Sequence, residues 1–265
     1  MMNIIVCIKQ VPDTTELKID PVTGTLIRKG VPSIMNPDDK NALEQALLIK
    51  DTVENANVTV LTMGPSQAKD VLKESLAMGA DRAILLSDRK FGGADTWATS
   101  ETISAAIKKI GNYDIIFAGR QAIDGDTAQV GPQIAERLNI PQVTYVKNFK
   151  IENDKVVVER SLEDGYEVIE VQMPVLLTAI KELNEPRYMS INGIFKVFGE
   201  GKEVTETWGV DDIEVNLDHI GLKGSPTQVK KTFTPEVRSK GEMLEGDSDT
   251  IAKNLLSNLK SRHII

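Results

Sequence analysis

Cysteine occurs once, at Cys7, so an internal disulfide is excluded and a reducing compartment is expected. Histidine occurs only at His219 and His263, too far apart in sequence to suggest a zinc or di-histidine centre. No apolar run approaches the roughly 20 residues of a membrane helix, so no membrane span is expected. The opening Met1-Met2-Asn3-Ile4-Ile5-Val6 lacks the basic stretch of a signal peptide and reads as a strand. Positive charge is also in deficit: the formal net charge is -8, which argues against a nucleic-acid-coating surface. Walker-type and Ser-Gly-Gly-type phosphate loops are missing, as is any readable Ser/His/Asp arrangement, so no catalytic side chain is assigned. These absences leave a cytoplasmic protein without nucleic acid, metal or membrane as the expectation.

What is present is a core-forming chain: 265 residues, 41% of them hydrophobic. Asn3–Ile8 is a near-continuous apolar run of the kind that suits a parallel strand covered on both faces. Leu17–Ile19 and Thr25–Ile27, around the turn residues Asp20–Gly24, read as a small hairpin. Asn36-Pro37-Asp38-Asp39 reads as a helix start, with a capping Asn, Pro at the first position and acids in the first turn. Strands at 58–61, 83–86 and 114–118 then alternate with helices at 66–78, 96–110 and up to Leu138, which means βαβ units and a parallel sheet. Beyond Pro141 the strands 143–146, 156–158 and 168–173 follow one another without helices, an antiparallel extension with Asp164-Gly165 as a hairpin signal. A last buried strand covers 174–179. The expected fold is therefore α/β: an open, mostly parallel Rossmann-like sheet with an antiparallel extension and a C-terminal helical arm. Residues 1–198 form the nucleotide-binding domain, 199–246 an irregular extension and linker, and 247–265 a docking helix. Its stripe of Ile251, Leu255, Leu256 and Leu259 must dock either on its own domain or on a partner, because so short a helix is marginal alone.

The strongest local feature follows the strand ending at Ala118. Gly119-Arg120-Gln121-Ala122-Ile123-Asp124-Gly125-Asp126-Thr127-Ala128-Gln129-Val130 lies at the carboxyl end of a parallel strand, where open sheets bind ligands. Its glycines and small residues expose N–H groups near a helix start, which makes either an anion site or an ordinary connection. Asp124 and Asp126 would repel phosphate, so they either hold ribose hydroxyls or cap the helix. Cys7-Ile8-Lys9 and Thr62-Met63-Gly64-Pro65 end neighbouring strands at the same edge, and Lys9 either neutralises phosphate or is simply solvated. Cys7 reads as a packed core thiol. Phe91-Gly92-Gly93-Ala94-Asp95-Thr96-Trp97-Ala98-Thr99 opens another helix, with Asp95 as N-cap, and is either a capped loop or a second wall of the site.

The stretch from Val158 to Thr178, with Arg160, Glu163-Asp164-Gly165, Glu167 and Pro174, resembles the signature of electron transfer flavoprotein β subunits. Leu183-Asn184-Glu185-Pro186-Arg187-Tyr188, the opening 7–13, Asn36-Pro37-Asp38, Ala77–Arg82 and the loop 119–131 also resemble that family, so the likeness spans essentially the whole chain. It implies a heterodimer with an α subunit that carries an electron-shuttling FAD. It also implies a nucleotide site in this chain formed by Cys7, Ile8, Lys9, Asn36, Pro37, Asp38, Asp39, Met63, Asp95, Thr96, Thr99 and 119–130. A recognition loop, about 186–196, would dock on acyl-CoA dehydrogenases through Pro186, Arg187, Tyr188, Met189, Ile191, Ile194, Phe195 and Lys196. The C-terminal helix, with Ile251, Leu255 and Leu259, resembles the arm that wraps the α subunit. One departure is Ser161, where some members carry an acid; Glu159 or Glu163 is the candidate substitute.

The family's nucleotide site holds AMP in respiratory members and FAD in electron-bifurcating ones. Asp124–Pro132 and Asp95–Thr99 resemble the bifurcating version, so FAD is favoured, with NADH as hydride donor and ferredoxin or flavodoxin as low-potential acceptor. Structural AMP in a plain electron carrier is the alternative, and a nucleotide-sensing stress-type α/β domain a distant third.

Overall fold

In the first strand, β1 (Met2–Cys7), successive side chains alternate between two buried faces. Ile4 and Val6 join one apolar cluster, and Ile5 and Cys7 join another. The computed structural model that shows this describes residues 1–13, 32–199, 203–230, 241 and 243–265. The hairpin expected at 17–27 lies outside those residues.

Chain order after β1 is β2 (Gln10–Pro12), β3 (Ser33–Met35), α1 (Pro37–Thr52), β4 (Ala56–Met63), α2 (Lys69–Met78) and β5 (Arg82–Leu86). There follow α3 (Thr96–Ile110), β6 (Ile115–Gly119), α4 (Val130–Leu138), β7 (Gln142–Glu152), β8 (Lys155–Ser161), β9 (Tyr166–Gln172) and β10 (Val175–Ala179). The chain continues through α5 (Ile191–Val197), β11 (Glu206–Trp208), α6 (Gly221–Gly224) and α7 (Ser248–Ser261). A nine-stranded sheet runs β11-β5-β4-β1-β6-β10-β7-β8-β9, and β2 pairs with β3 as a separate ribbon. All pairs from β11 to β7 are parallel, whereas β7-β8-β9 are antiparallel.

Helices α1 and α2 cover one face of the sheet, packing Leu43, Leu47 and Leu72 against Ile4, Val58 and Phe117. Helices α3 and α4 cover the other, packing Ile103, Ile107 and Ile134 against Ile5, Ile84 and Ile116. Each such side chain, fully buried, stabilises the fold by about 1.5–3 kcal/mol.

Two expectations need correction. The segment 199–246 is not wholly irregular: Glu206–Trp208 adds a parallel edge strand to β5. Trp208 is buried there, with the Lys109 ammonium 4.1 Å from its ring centre. Asn36 occupies the N-cap position of α1 but makes no side-chain cap. Its amide instead donates to Gln121 O at 2.8 Å and accepts from Ile123 N at 3.0 Å. Helix α1 also buries a polar row, Asp39, Asn41, Glu44 and Gln45, which a purely apolar stripe does not anticipate. Among the described residues no helix is long and apolar enough to cross a membrane.

Candidate functional site

The strand order reverses between β1 and β6, the point at which α/β sheets open a crevice beyond their carboxyl ends. A cavity of about 950 Å³ lies there, walled by the ends of β1, β4, β5 and β6 and by the starts of α3 and α4. Of the residues singled out from sequence, Cys7, Ile8, Lys9, Asp39, Met63, Asp95, Thr96, Thr99, Gly119–Ala122, Gly125 and Thr127–Val130 line it. Asn36, Pro37, Asp38, Ile123, Asp124 and Asp126 are not part of its wall. Leu86, Ser87, Asp88, Arg89 and Gln10 are, although sequence reasoning did not single them out. Leu86 ends a recognised parallel strand and the next three residues follow it, so the rule applied to Gly119 would have found them.

The helix starts around the cavity differ in charge character. At α3, Asp95 already caps the helix, its Oδ1 accepting from Ala98 N at 3.0 Å. At α4 the N-cap residue is Gln129, and its side chain makes no cap. The first N–H groups of α4 therefore lack an intrahelical acceptor and carry the positive end of the helix dipole. Just before them, Asp126 (φ 48°) and Ala128 (φ 52°) hold left-handed backbone conformations that non-glycine residues rarely adopt. The α4 start is thus the anion-attracting end of the cavity.

Neither of the two acids before α4 occupies its N-cap position. Asp124 Oδ1 pairs with Lys9 Nζ at 2.6 Å, and Asp126 Oδ1 accepts from Gln121 Nε2 at 2.8 Å. Lys9 is therefore already engaged by a carboxylate. With Asn36 gripping Gln121 and Ile123, these contacts pin the loop to β1 and to the start of α1. Arg120 turns toward Asp38, Nε to Oδ2 3.3 Å, and lies over the Tyr145 ring at 5.9 Å.

Beneath the loop, Asp39 ties two strand ends together. Its carboxylate accepts from Lys9 N at 2.7 Å and from Gly119 N at 2.9 Å. Burial pushes this carboxyl up to about 7, the neighbouring Asp38 charge adding to the rise, while the donors from Asn36, Lys9 and Gly119 pull it down. In a window from about pH 4 to about 7 the folded state therefore holds a proton that the unfolded chain has released, so this group's contribution to stability falls as pH rises and levels off above it. The stability advantage of wild type over Asp39→Asn should shrink between about pH 4 and about pH 7 in urea denaturation. A pH-independent difference would mean that Asp39 is ionised throughout. The adjacent Cys7 thiol is pushed up to about 12, by burial first and then by Asp39, which makes it an inert wall residue rather than a nucleophile.

The residues assigned to partner contacts lie away from the cavity wall. Tyr188, Ile191 and Phe195 stand 93%, 73% and 75% exposed, an outward apolar surface on and beside α5. Met189 and Ile194 are also exposed. Pro186 and Lys196 flank this surface at the two ends of the segment. Arg187 is different: it turns inward and forms a bidentate pair with Glu44, Nε to Oε2 2.9 Å and Nη2 to Oε1 3.0 Å, while Nη2 also reaches Asp51 at 2.7 Å. In α7, capped by Asp247, no residue is buried, Ile251, Leu255 and Leu259 included.

The model of the electron transfer flavoprotein domain matches residues 23–213. Similar proteins include the electron transfer flavoprotein subunit beta of Clostridium acetobutylicum, 62% identical over 264 residues with both chains covered in full. The caffeyl-CoA reductase-Etf complex subunit CarD of Acetobacterium woodii is 58% identical over 265 residues, again with full coverage of both. The acryloyl-CoA reductase electron transfer subunit gamma of Anaerotignum propionicum is 51% identical over 269 aligned positions and the full length of each chain.

Proposed function

This chain belongs to the electron transfer flavoprotein family, in the position of a β subunit, and from that premise we propose that its cavity holds FAD and takes reducing equivalents from NADH in an electron-bifurcating complex. The observation that carries this reading is the cavity itself. At about 950 Å³ it stands at the upper end of ligand pockets, which run from about 300 to about 1,000 Å³. AMP has fewer than half the non-hydrogen atoms of FAD and would leave much of this space to water.

The residues present fit the dinucleotide. Its diphosphate suits the uncapped start of α4, with Thr127–Val130 presenting N–H groups. The apolar wall of Met63, Phe91 and Ile103 suits a ring system and keeps water from it. When bound, FAD supplies hydride acceptance and the onward release of single electrons; the chain binds, orients and shields it. The names of the relatives from Acetobacterium woodii and Anaerotignum propionicum attach them to CoA-thioester reductases, which supports a partner of the acyl-CoA dehydrogenase class for this chain. The exposed surface of α5 is assigned to that partner, and α7 to the α subunit. An apolar anchor ringed by polar groups is what such docking requires. Ferredoxin or flavodoxin is the low-potential acceptor in this scheme.

The heterodimer purified with its α subunit should contain two FAD and lose its flavin absorbance on addition of NADH without air. One FAD together with AMP, and no reaction with NADH, would replace this reading with that of a plain electron carrier.

A further inference from the structure

The cavity's outer wall is not self-supporting. Residues 92–96 lead into α3 and line the cavity, yet much of their hydrogen bonding comes from a segment more than 120 residues later. Leu222 N donates to Gly92 O at 3.0 Å. Asp95 N donates to Ser225 Oγ at 2.8 Å, and Ser225 Oγ donates in turn to Gly221 O at 2.8 Å. Asp95 divides its carboxylate: Oδ1 caps α3, while Oδ2 accepts from Thr227 N at 3.0 Å and from Thr227 Oγ1 at 2.7 Å. The contact is close along its length. A Cβ on Gly221 would sit 2.0 Å from Lys90 O, and one on Gly93 would sit 3.1 Å from Leu222 Cβ.

From Asp95 the connection runs on across the cavity. The next residue, Thr96, donates through Oγ1 to Gln129 Oε1 at 3.0 Å. Gln129 is the N-cap residue of α4, where the exposed N–H groups lie. One chain of contacts therefore leads from Thr227 through Asp95 and Thr96 to the anion-attracting end of the site.

We infer that Ser225 and Thr227 are positioning residues for the dinucleotide site, latching the wall at Asp95 and, through it, the spacing between the starts of α3 and α4. This rests on the reading that the cavity holds FAD. Neither side chain lines the cavity, so their effect passes through Asp95. Affinity then depends on the latch because an unlatched wall must be ordered again each time the ligand binds.

The test is equilibrium titration of flavin-stripped αβ heterodimer with FAD. Wild type should show two binding events, one for each subunit's site. Ser225→Ala/Thr227→Val removes three side-chain hydrogen bonds, two of them to Asp95 and one to Gly221 O, and should weaken one event about tenfold, leaving the other unchanged. Thr227 is exposed, so Thr227→Val alone should fold normally and weaken the same event about threefold, while Thr227→Ser should restore it. Two unaltered events in the double variant would overturn the latch. Equal weakening of both would reduce it to general loosening and overturn it too. A single event in wild type would instead overturn the FAD reading on which it stands.

Discussion

Gly119→Ala is expected to destabilise the protein by about 3 kcal/mol or more and to distort the cavity wall that Gly119 forms. An added Cβ would lie 2.2 Å from Asp39 Oδ1, 2.7 Å from Asp39 N and 2.8 Å from Asp38 C. Two of those atoms are backbone at the start of α1 and cannot swing aside. Overpacking alone costs about 1–3 kcal/mol. Forcing Asp39 away also breaks the bond from Gly119 N, a buried hydrogen bond to a carboxylate worth about 1.5–3 kcal/mol. Gly125→Ala is the control in the same loop, because no atom lies within 4 Å of its added Cβ. Urea denaturation of both variants decides the matter. If Gly119→Ala loses less than about 1 kcal/mol, the ends of β6 and α1 are not held as tightly as their contacts imply.

The second large effect is expected at Glu44. Its side chain is only 4% exposed and accepts from Arg187 N as well as from the guanidinium. Glu44→Gln removes the charge, leaves Arg187 facing Asp51 alone and should cost about 2 kcal/mol. Breaking a buried pair costs about 3–5 kcal/mol, discounted here because the Arg187 side chain is 31% exposed and can turn to water. Amide exchange at 187–197 should accelerate together with the loss of stability, since the pair moors the entry to α5. Normal exchange there would show that the Ser190 cap and the bond from Ser190 N to Ala77 O suffice.

The parallel core was readable because β1, β4, β5, β6 and β10 are apolar runs buried on both faces, with helices between the first four. The antiparallel end was readable from the loss of those helices after Pro141. Strand β11 was not: Glu206-Thr207-Trp208 is three residues long and two of them are exposed. It forms because the edge of β5 offers parallel partners and the Lys109 side chain covers Trp208. The cavity was legible as a meeting of strand ends, but the role of Asn36 was not. Its type and position fit a cap, and only the folded loop shows its amide holding Gln121 and Ile123. Ser225 and Thr227 carried no local signal at all, since their partner is 130 residues away for one and 132 for the other.

The polar row on α1 has a consequence for how such proteins can diverge. Asp39 grips two strand tips at the mouth of the sheet, and five positions along the same helix Glu44 grips the approach to α5. The rim of the cavity and the base of the exposed α5 surface thus share one helix. A chimera that borrows the 184–198 segment from a relative while keeping its own α1 would exchange a surface without its foundation. A transfer that moves the helix together with the loop it carries should keep both sets of contacts.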